Sequence, residues 1–227
     1  MAEAYRVGTR KSPLALRQVV EALRAIKASF PDMLIEVLPI DTYGDKDKDT
    51  PVSDTEGSDF FTREIDNALL EKRIDFAVHS AKDLPDEPKE GIIVAAMTES
   101  IDPYDVIVSK DGLGLKELAK GAVIGTSSKR RKESLKKFRP DFNIVDIRGN
   151  IEERLELLDN GAKNLDAIVI AAAGLIRLGL ENRITQKIPI NIIEPHPLQG
   201  CLAVVIREQD RGLLDIFSVL NKHEEAL

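Results

Sequence analysis

A run of small and hydroxyl-bearing residues, Gly125–Ser128, stands directly before a row of cations, Lys129–Lys132. The run follows a predicted strand and precedes a predicted helix, so unpaired backbone N–H groups, hydroxyls and forked guanidinium groups come together at a helix start. Such a start can bind a carboxylate or a phosphate. Cations at helical spacing are also typical of a solvated helix face, but the hydroxyl run before them favours the anion site. The spacing of a nucleotide-binding Walker loop is absent.

A second anion clamp is predicted around the next helix start. Arg148 and Gly149 follow a predicted strand, and Asn150 and Glu153 have the spacing of an N-cap and its capping-box partner. Arg148 and Arg154 therefore flank this helix start. For Arg154, a surface ion pair with an acidic residue one turn away fits the sequence equally well.

Asp83 lies beside Lys82 in a turn that follows a predicted strand. A carboxylate next to a cation is most often part of a structural ion pair, and the bare sequence favours that interpretation. Ligands nevertheless bind at the C-terminal ends of strands in open α/β sheets, which leaves a catalytic role for Asp83 open. His79, at the end of the same apolar strand, fits a hydrogen-bonded core histidine better than a ligand or a base.

The elements that must position these residues are short apolar runs alternating with longer amphipathic stretches. This pattern predicts an α/β protein with a mainly parallel sheet. The predicted strands are Arg6–Thr9, Met33–Ile40, Ile74–Val78, Ile92–Ala96, Val106–Ser109, Val123–Thr126, Asn143–Ile147, Ala167–Ala172 and Leu202–Ile206. The predicted helices are one that begins at Ser12-Pro13 and others near Phe61–Leu70, Leu115–Ala119, Lys129–Phe138, Ile151–Leu158 and Gly212–Leu220.

Two segments indicate crossings between domains. Thr98–Pro103 and the proline-containing run Ile188–Pro197 each separate one set of elements from another. Two crossings predict two lobes with a cleft between them. The first domain is expected to be discontinuous, with residues 1–97 plus 193–227, and the second to comprise residues 98–192.

Composition limits the classes of function. The 227 residues carry 32 Lys and Arg against 39 Asp and Glu, a net charge of −7, which argues against a surface built for nucleic acid or anionic membrane. One cysteine excludes an internal disulfide framework, and three scattered histidines give no metal-site spacing. The sequence contains neither an apolar run near the roughly 18 residues of a membrane helix nor a signal peptide, so a cytoplasmic protein is expected.

Six segments carry a further signal: Gly8–Leu16, Ala77–Pro85, Gly125–Arg131, Asp146–Asn150, Ala173–Leu180 and Pro197–Gly200. In this order along the chain they resemble the porphobilinogen deaminase (hydroxymethylbilane synthase) family. The resemblance implies an enzyme that joins four porphobilinogen molecules head to tail, releasing ammonia each time, to form hydroxymethylbilane. It also implies a dipyrromethane cofactor, held through a thioether to a cysteine, and two lobes that resemble type II periplasmic binding proteins hinged around a central cleft. Porphobilinogen is the expected partner, and a monomer is the expected state.

The resemblance assigns roles to individual residues. Asp83 matches the catalytic carboxylate that assists ammonia loss and stabilises the cationic pyrrole. The residues expected to bind cofactor are Lys82, Thr126, Ser127, Ser128, Arg130, Arg131, Arg148, Gly149, Arg154 and Gln199. The residues expected to bind substrate are Arg10, Ser12, Gln18, Phe61, Arg148, Arg154 and Arg177. Each pyrrole brings two carboxylates, which gives several arginines a chemical reason to line one cleft.

Two features depart from the family pattern. Ser58-Asp59 stands before Phe61, where the family usually has a glycine-rich basic stretch. The lid behaviour of the family's loop is therefore not carried over to this chain. The sequence ends where the family commonly enters a third domain that carries the cofactor cysteine. A natural two-domain form and a shortened piece of a longer chain fit this equally well, and the two-domain form is the one carried forward as the expectation. Cys201 then becomes a candidate for covalent attachment, although the family usually has alanine at that position. The alternative function is a non-catalytic protein that binds pyrrole carboxylates.

Overall fold

The structure is a computed structural model that describes residues 4–46 and 58–221. The described residues divide into two compact units. The first unit contains residues 4–46, 58–101 and 201–221, and the second contains residues 102–200. Residues 222–227, at the end of the expected first domain, lie outside the described part of the chain.

The strands of the described residues are β1 (Tyr5–Arg10), β2 (Ile35–Ile40), β3 (Phe76–Ser80), β4 (Ile92–Met97), β5 (Asp105–Ser109), β6 (Val123–Gly125), β7 (Asn143–Val145), β8 (Ala167–Ala171), β9 (Gln186–Lys187) and β10 (Leu202–Arg207). The α-helices are α1 (Pro13–Ser29), α2 (Tyr43–Lys46), α3 (Arg63–Leu70), α4 (Lys129–Phe138), α5 (Ile151–Asp159), α6 (Ala172–Leu178) and α7 (Leu214–Phe217). Short 3₁₀ turns include Ala81–Asp83 after β3 and Glu208–Leu213 before α7.

The sheet of the first unit has the strand order β2-β1-β3-β10-β4. β1 runs parallel to β2 and β3, and β10 runs antiparallel to β3 and β4. The C-terminal ends of β1 to β4 and the start of β10 therefore lie along one edge of the sheet, which we call edge 1. Arg10, Asp83 and Cys201 stand at edge 1 or directly beyond it.

One face of this sheet packs against α1. Ser12 begins the helix, because its Oγ accepts a backbone N–H of the first turn at 3.2 Å and Pro13 takes the first helical position. Val19 and Ile26 of α1 are fully buried in a cluster with Phe76 of β3. Burial of each large apolar side chain stabilises the fold by about 1.5–3 kcal/mol. This packing fixes the strands that lead to Arg10 and Asp83.

The opposite face of the same sheet packs against α3. Ile65 and Leu69 of α3 are fully buried in a cluster with Ala77 of β3. The backbone of β1 passes so close to this cluster that a Cβ at Gly8 would lie 2.3 Å from the Ile74 side chain. Only glycine allows the approach without displacing a core residue.

The sheet of the second unit has the strand order β7-β6-β8-β5-β9. β6 runs parallel to β7 and β8, whereas β5 runs antiparallel to β8, with Asp105 opposite Ala171. The ends of β6, β7 and β8 and the start of β5 therefore share an edge, which we call edge 2. Buried apolar clusters cover both faces, one around Leu135 of α4 and one around Leu155 of α5.

Several predictions from the sequence need correction. The sheets are mixed, with as many antiparallel as parallel strand pairs, because β5 and β10, the first strands after the chain passes between the units, enter their sheets antiparallel. Leu115–Ala119 forms turns and bends instead of a helix. The run after β8 contains an additional helix, α6, which ends at Gly179 in the left-handed conformation with a φ of 70°.

Within the described residues, none of the helices combines the length and the apolar character needed to cross a membrane.

Candidate active site

Asp83 lies beyond the end of β3, in a 3₁₀ turn at edge 1. The turn is fixed to the start of β10, because the Ala81 N–H donates to the carbonyl oxygen of Cys201 at 3.0 Å. The Asp83 side chain keeps 35% of its surface exposed, and its Oδ2 lies 3.9 Å from Nη1 of Arg10. That distance exceeds hydrogen-bond range, so the carboxylate has a cation beside it without being tightly paired to it.

Arg10 ends β1 and has a second acidic neighbour, which the sequence did not identify. Its Nε donates to both carboxylate oxygens of Asp45 at 3.2 Å, and its Nη2 also donates to that carboxylate. The guanidinium carbon lies 4.4 Å from the centre of the Phe61 ring, within cation–π range. Edge 1 therefore brings together Arg10, Phe61 and Asp83, three residues expected from the sequence.

Burial and charge act in opposite directions on Asp45. Burial raises its pKa, but hydrogen bonds and charge from Arg10, together with the hydroxyl of Thr42, more than offset this, so the pKa lies below the ordinary aspartate value. Asp45 is thus ionised at neutral pH. The sequence signal for Asp45 was its position shortly after a predicted strand, because parallel strands end at the same edge of a sheet and Arg10 ends the neighbouring strand.

His79 lies on the face of β3 that carries Ala77, toward the α3 cluster. Its Nε2 is buried and has no hydrogen-bond partner among residues 4–46 and 58–221. The buried position agrees with the predicted core histidine, although the described residues supply no hydrogen bond at Nε2. Burial, and then the positive charge of Arg10, lowers the pKa of His79 to about 4, so the imidazole is neutral at pH 7.

The other expected residues of the first unit occupy different surroundings. Ser12 uses its Oγ to cap α1, and Gln18 lies on the buried side of the same helix with 5% of its surface exposed. Lys82 is half-buried in the turn beside Asp83. Cys201 is buried, with 1% of its surface exposed.

The hydroxyl run Thr126–Ser128 joins β6 to α4 at edge 2, and its three hydroxyls differ in what they contact. Ser127 is structural, because its hydroxyl donates to the Ile147 carbonyl at 2.6 Å and accepts the Ile147 N–H at 3.1 Å. Ser128 is the N-cap of α4 but makes no side-chain capping bond. Thr126 is 1% exposed, and its Oγ1 has no partner in the described part of the chain. A buried hydroxyl without a partner is costly and marks a place where a ligand can supply the missing bond.

Asp105, also at edge 2, organises two of the expected arginines. Its fully buried carboxylate accepts hydrogen bonds from Arg130 Nη2 at 2.9 Å and from Arg131 Nε and Nη2 at 3.1 and 2.6 Å. The Gln199 side-chain amide donates to the same carboxylate at 2.9 Å and to the Pro103 carbonyl at 2.7 Å. Burial raises the pKa of Asp105, but Arg131, Arg130 and Gln199 outweigh it and hold the pKa below its ordinary value.

The two arginines of this network differ in how much of each side chain is exposed to solvent. Arg131 is 8% exposed, and besides Asp105 it donates to the Val169 carbonyl at 3.3 Å. Arg130 keeps 28% of its side chain exposed. Asp105 was not predicted from the sequence, although it stands immediately before the three apolar residues Val106–Val108 of a predicted strand.

The residues of the second predicted clamp lie around the start of α5, where the predicted capping box is present. Asn150 and Glu153 make the capping box in both directions, at 2.8 Å each. Gly149 adopts a φ of 101°, and a Cβ there would lie 2.5 Å from a Glu153 oxygen, so the position requires glycine. Arg154 turns back so that its Nε donates to the Gly149 carbonyl at 2.8 Å, and Arg148 is half-buried before the cap.

Arg177 on α6 is the remaining expected arginine. Its Nη2 donates to the carbonyl of Gly200 at 2.8 Å. Gly200 has a φ of 86° and follows Gln199. The contact ties α6 to the segment that holds the Asp105 network. In the described residues, no group of three or more His, Cys, Asp or Glu side chains is arranged to hold a metal ion.

The family model and the similar sequences that match this chain all belong to one family. A family model described as "Porphobilinogen deaminase, dipyromethane cofactor binding domain" matches residues 5–215. The porphobilinogen deaminase of Natranaerobius thermophilus is 42% identical over 219 residues, covering 96% of this chain and 70% of that protein. The porphobilinogen deaminase of Brevibacillus brevis is 42% identical over 222 residues, covering 98% of this chain and 70% of that protein.

Comparison with solved structures concerns the fold alone. The methionine binding protein MetQ matches with a TM-score of 0.57 at 13% identity, covering 94% of this chain and 88% of that one. A nutrient binding protein from Burkholderia cenocepacia bound to methionine matches with a TM-score of 0.55 at 13% identity, covering 95% and 90%. The predicted fold class, α/β with two lobes resembling type II periplasmic binding proteins, is confirmed.

Proposed function

The chain belongs to the porphobilinogen deaminase family, and from this premise we propose that Asp83 is the carboxylate at which it deaminates porphobilinogen. The enzyme is a hydroxymethylbilane synthase, which joins porphobilinogen molecules head to tail into a linear tetrapyrrole and releases ammonia at each step. The observation that carries the assignment of the site is the placement of a partly exposed carboxylate, loosely paired to Arg10, at edge 1.

The chemistry needs a fixed anion of this kind. When the aminomethyl group of porphobilinogen leaves as ammonia, the methylene carbon becomes cationic and the pyrrole ring shares the charge. A carboxylate held against that charge stabilises the transition state. In its acid form the same group can donate a proton to the leaving amine. The 3.9 Å gap between Arg10 and Asp83 supports this role, because the negative charge of Asp83 is not consumed by a short ion pair.

Edge 2 fits the carboxylates of the dipyrromethane cofactor. When bound, this group supplies the primer to which the pyrroles are added. Three kinds of donor for a carboxylate lie here. They are the Thr126 hydroxyl, which has no partner in the described residues, the Ser128 hydroxyl, which makes no capping bond, and the N-terminal N–H groups of α4. Arg130 adds a partly exposed cation beside them. We propose Arg131 and Gln199 as further cofactor-binding residues, although their strongest contacts are to Asp105.

The substrate-binding residues are proposed separately for each unit. In the first unit Arg10, stacked on Phe61, lies beside Asp83, and in the second unit Arg148, Arg154 and Arg177 are the proposed cations. A cytoplasmic location, a monomeric state and the absence of nucleic-acid binding stay predictions from the sequence.

A stoichiometric test distinguishes the enzyme from the alternative, a protein that binds pyrrole carboxylates without turnover. Porphobilinogen is mixed in large excess over the purified protein and followed with Ehrlich's reagent. Consumption that continues well beyond one equivalent per protein supports the enzyme. Depletion that stops at a fixed number of equivalents supports the binding protein.

Thr126→Val tests the cofactor site. Valine keeps the shape of the side chain but removes the unpartnered hydroxyl, so we expect unchanged or slightly higher thermal stability. Retention of added dipyrromethane is expected to fall at least about tenfold, as one hydrogen bond to a charged group is worth roughly 1.5–3 kcal/mol. The measurements are thermal unfolding and bound dipyrromethane after dilution. Full retention by the variant would remove Thr126 from the cofactor site.

Cys201→Ser tests covalent attachment. We propose Cys201, the one thiol in the sequence, as the attachment point, since its backbone bonds to the turn that carries Asp83. Its side chain is 1% exposed, so thioether formation requires that the start of β10 opens locally. Intact-protein mass spectrometry is expected to show the added mass of two linked pyrroles on wild type and none on the variant. Bare mass on both, with equal turnover, would mean that the primer is held noncovalently.

A further inference from the structure

The assigned roles leave one carboxylate at edge 1 unexplained. Asp45 on α2 makes the closest contacts of Arg10, through Nε and Nη2 of the guanidinium. It therefore occupies the edge of the guanidinium fork that can grip a carboxylate with two parallel bonds.

The rest of the Arg10 guanidinium also has neighbours, the Phe61 ring and Asp83. One face stacks on the Phe61 ring at 4.4 Å, and Nη1 is left facing Asp83 at 3.9 Å. A forked arginine–carboxylate pair has N···O distances of about 2.7–2.9 Å. To form such a pair with Asp83, the Arg10 guanidinium would have to move toward Asp83, and its hydrogen bonds to Asp45 oppose that movement.

Asp45 is held in place independently of Arg10. The Thr42 hydroxyl donates to its Oδ2 at 2.7 Å. The preceding residue, Gly44, lies so close to the aromatic pair Phe60 and Phe61 that an added Cβ would sit 2.5–2.7 Å from their ring carbons. Asp45 is thus a fixed acceptor on a short helix that is packed against two rings.

We propose that Asp45 is a positioning residue that holds the Arg10 fork away from Asp83 and so keeps the negative charge of Asp83 available to the cationic pyrrole. The inference rests on the proposed role of Asp83. With Asp45 ionised, the three groups Arg10, Asp45 and Asp83 carry one net negative charge. If Asp45 loses its charge, the three groups together are neutral. The Arg10 guanidinium is then no longer held by Asp45 and can pair with Asp83.

Asp45→Asn is the direct test. We expect kcat to fall at least about tenfold, because the stabilisation that is lost belongs to the charged transition state. The KM for porphobilinogen is expected to change by less than about threefold. Asp45→Glu, which keeps the charge, is expected to retain most of kcat. Equal losses in the Asn and Glu variants would indicate that only the shape of the side chain matters, and would overturn the proposal.

A double-mutant cycle tests whether Asp45 acts through Arg10. In an Arg10→Gln background no fork remains to be restrained, so adding Asp45→Asn is expected to change kcat by less than about twofold. A merely structural contribution of Asp45 would give the same tenfold loss in both backgrounds. That result would overturn the proposal even if all variants fold normally.

Asp41→Asn is the matched control, since it makes the same chemical change shortly after β2. Asp41 pairs with Lys11 at 2.8 Å on an exposed surface and forms neither a hydrogen bond nor an ion pair with Arg10 in the described residues. Its kcat is expected to match wild type. A wild type that consumes no porphobilinogen contradicts the proposed function, whereas an active wild type with an equally active Asp45→Asn variant contradicts this inference alone.

Discussion

Asp83→Asn is expected to lower the rate of porphobilinogen consumption by roughly 10³-fold or more while leaving the fold intact. Asparagine keeps the shape of the side chain but loses the charge that faces the cationic pyrrole, and a lost electrostatic contact of this kind costs about 10²–10³-fold by itself. The loss of proton donation to the leaving amine adds to it. The measurement is steady-state kcat together with thermal unfolding and porphobilinogen binding.

The matched control for this variant is Asp86→Asn, three residues further along the same loop. Asp86 is exposed, and the same substitution there is expected to leave kcat within about twofold of wild type. Near-normal consumption by Asp83→Asn would remove Asp83 from the catalytic role. A loss of folding in that variant would instead show a structural role, because a side chain with 35% exposure and no short ion pair should tolerate the change.

Asp105→Asn is expected to destabilise the second unit by about 3–5 kcal/mol, the range found when one partner of a buried ion pair is removed. The variant leaves the 8%-exposed guanidinium of Arg131 without its counter-charge, and Arg130 loses the acidic side chain with which it pairs in the described residues. Gln199 loses its anchor to the same carboxylate. The measurement is the free energy of unfolding from urea titration.

The control is Asp159→Asn, which removes an acidic partner from a surface arginine in the same unit. Arg183 and Asp159 are 31% and 53% exposed, and an exposed pair of this kind is worth at most about 1 kcal/mol. Similar losses in the two variants would contradict the claim that Asp105 is the organising charge of edge 2.

The pH dependence of the Asp105 effect has a definite sign. A carboxyl whose pKa is lowered by folding contributes stability that is present above its unfolded value, 3.8, and is lost as the pH falls through the folded value. The stability difference between wild type and Asp105→Asn is therefore expected to be full at neutral pH and to shrink below pH 3.8. A difference that stays constant through this range would contradict the assigned ionisation of Asp105.

Local features of the fold were predictable from the sequence. The Ser12-Pro13 start of α1 and the capping box of Asn150 and Glu153 depend on residues a few positions apart, and the structure contains both. The placement of Asp83 at a strand end followed from the apolar run before it. The antiparallel entry of β5 and β10 depends on where the chain returns to each sheet, which no local pattern records.

Contacts between distant residues explain what the sequence did not reveal. Asp45 lies 35 residues from Arg10, and Asp105 lies 26 residues from Arg131. Arginines that looked equivalent along the chain are therefore distinguished by the carboxylates, carbonyls and rings that the fold brings to them. The hydroxyls of Ser127 and Thr126 are neighbours in sequence, yet one is used within the fold and the other is unpartnered in the described residues.

The most direct test of the central claim counts what the wild-type protein releases. Purified protein is given porphobilinogen, and ammonia is measured together with the mass of the product. The account predicts one ammonia for each porphobilinogen consumed and a linear tetrapyrrole that contains four of them. Porphobilinogen that is bound and then recovered unchanged, with no ammonia released, would contradict it.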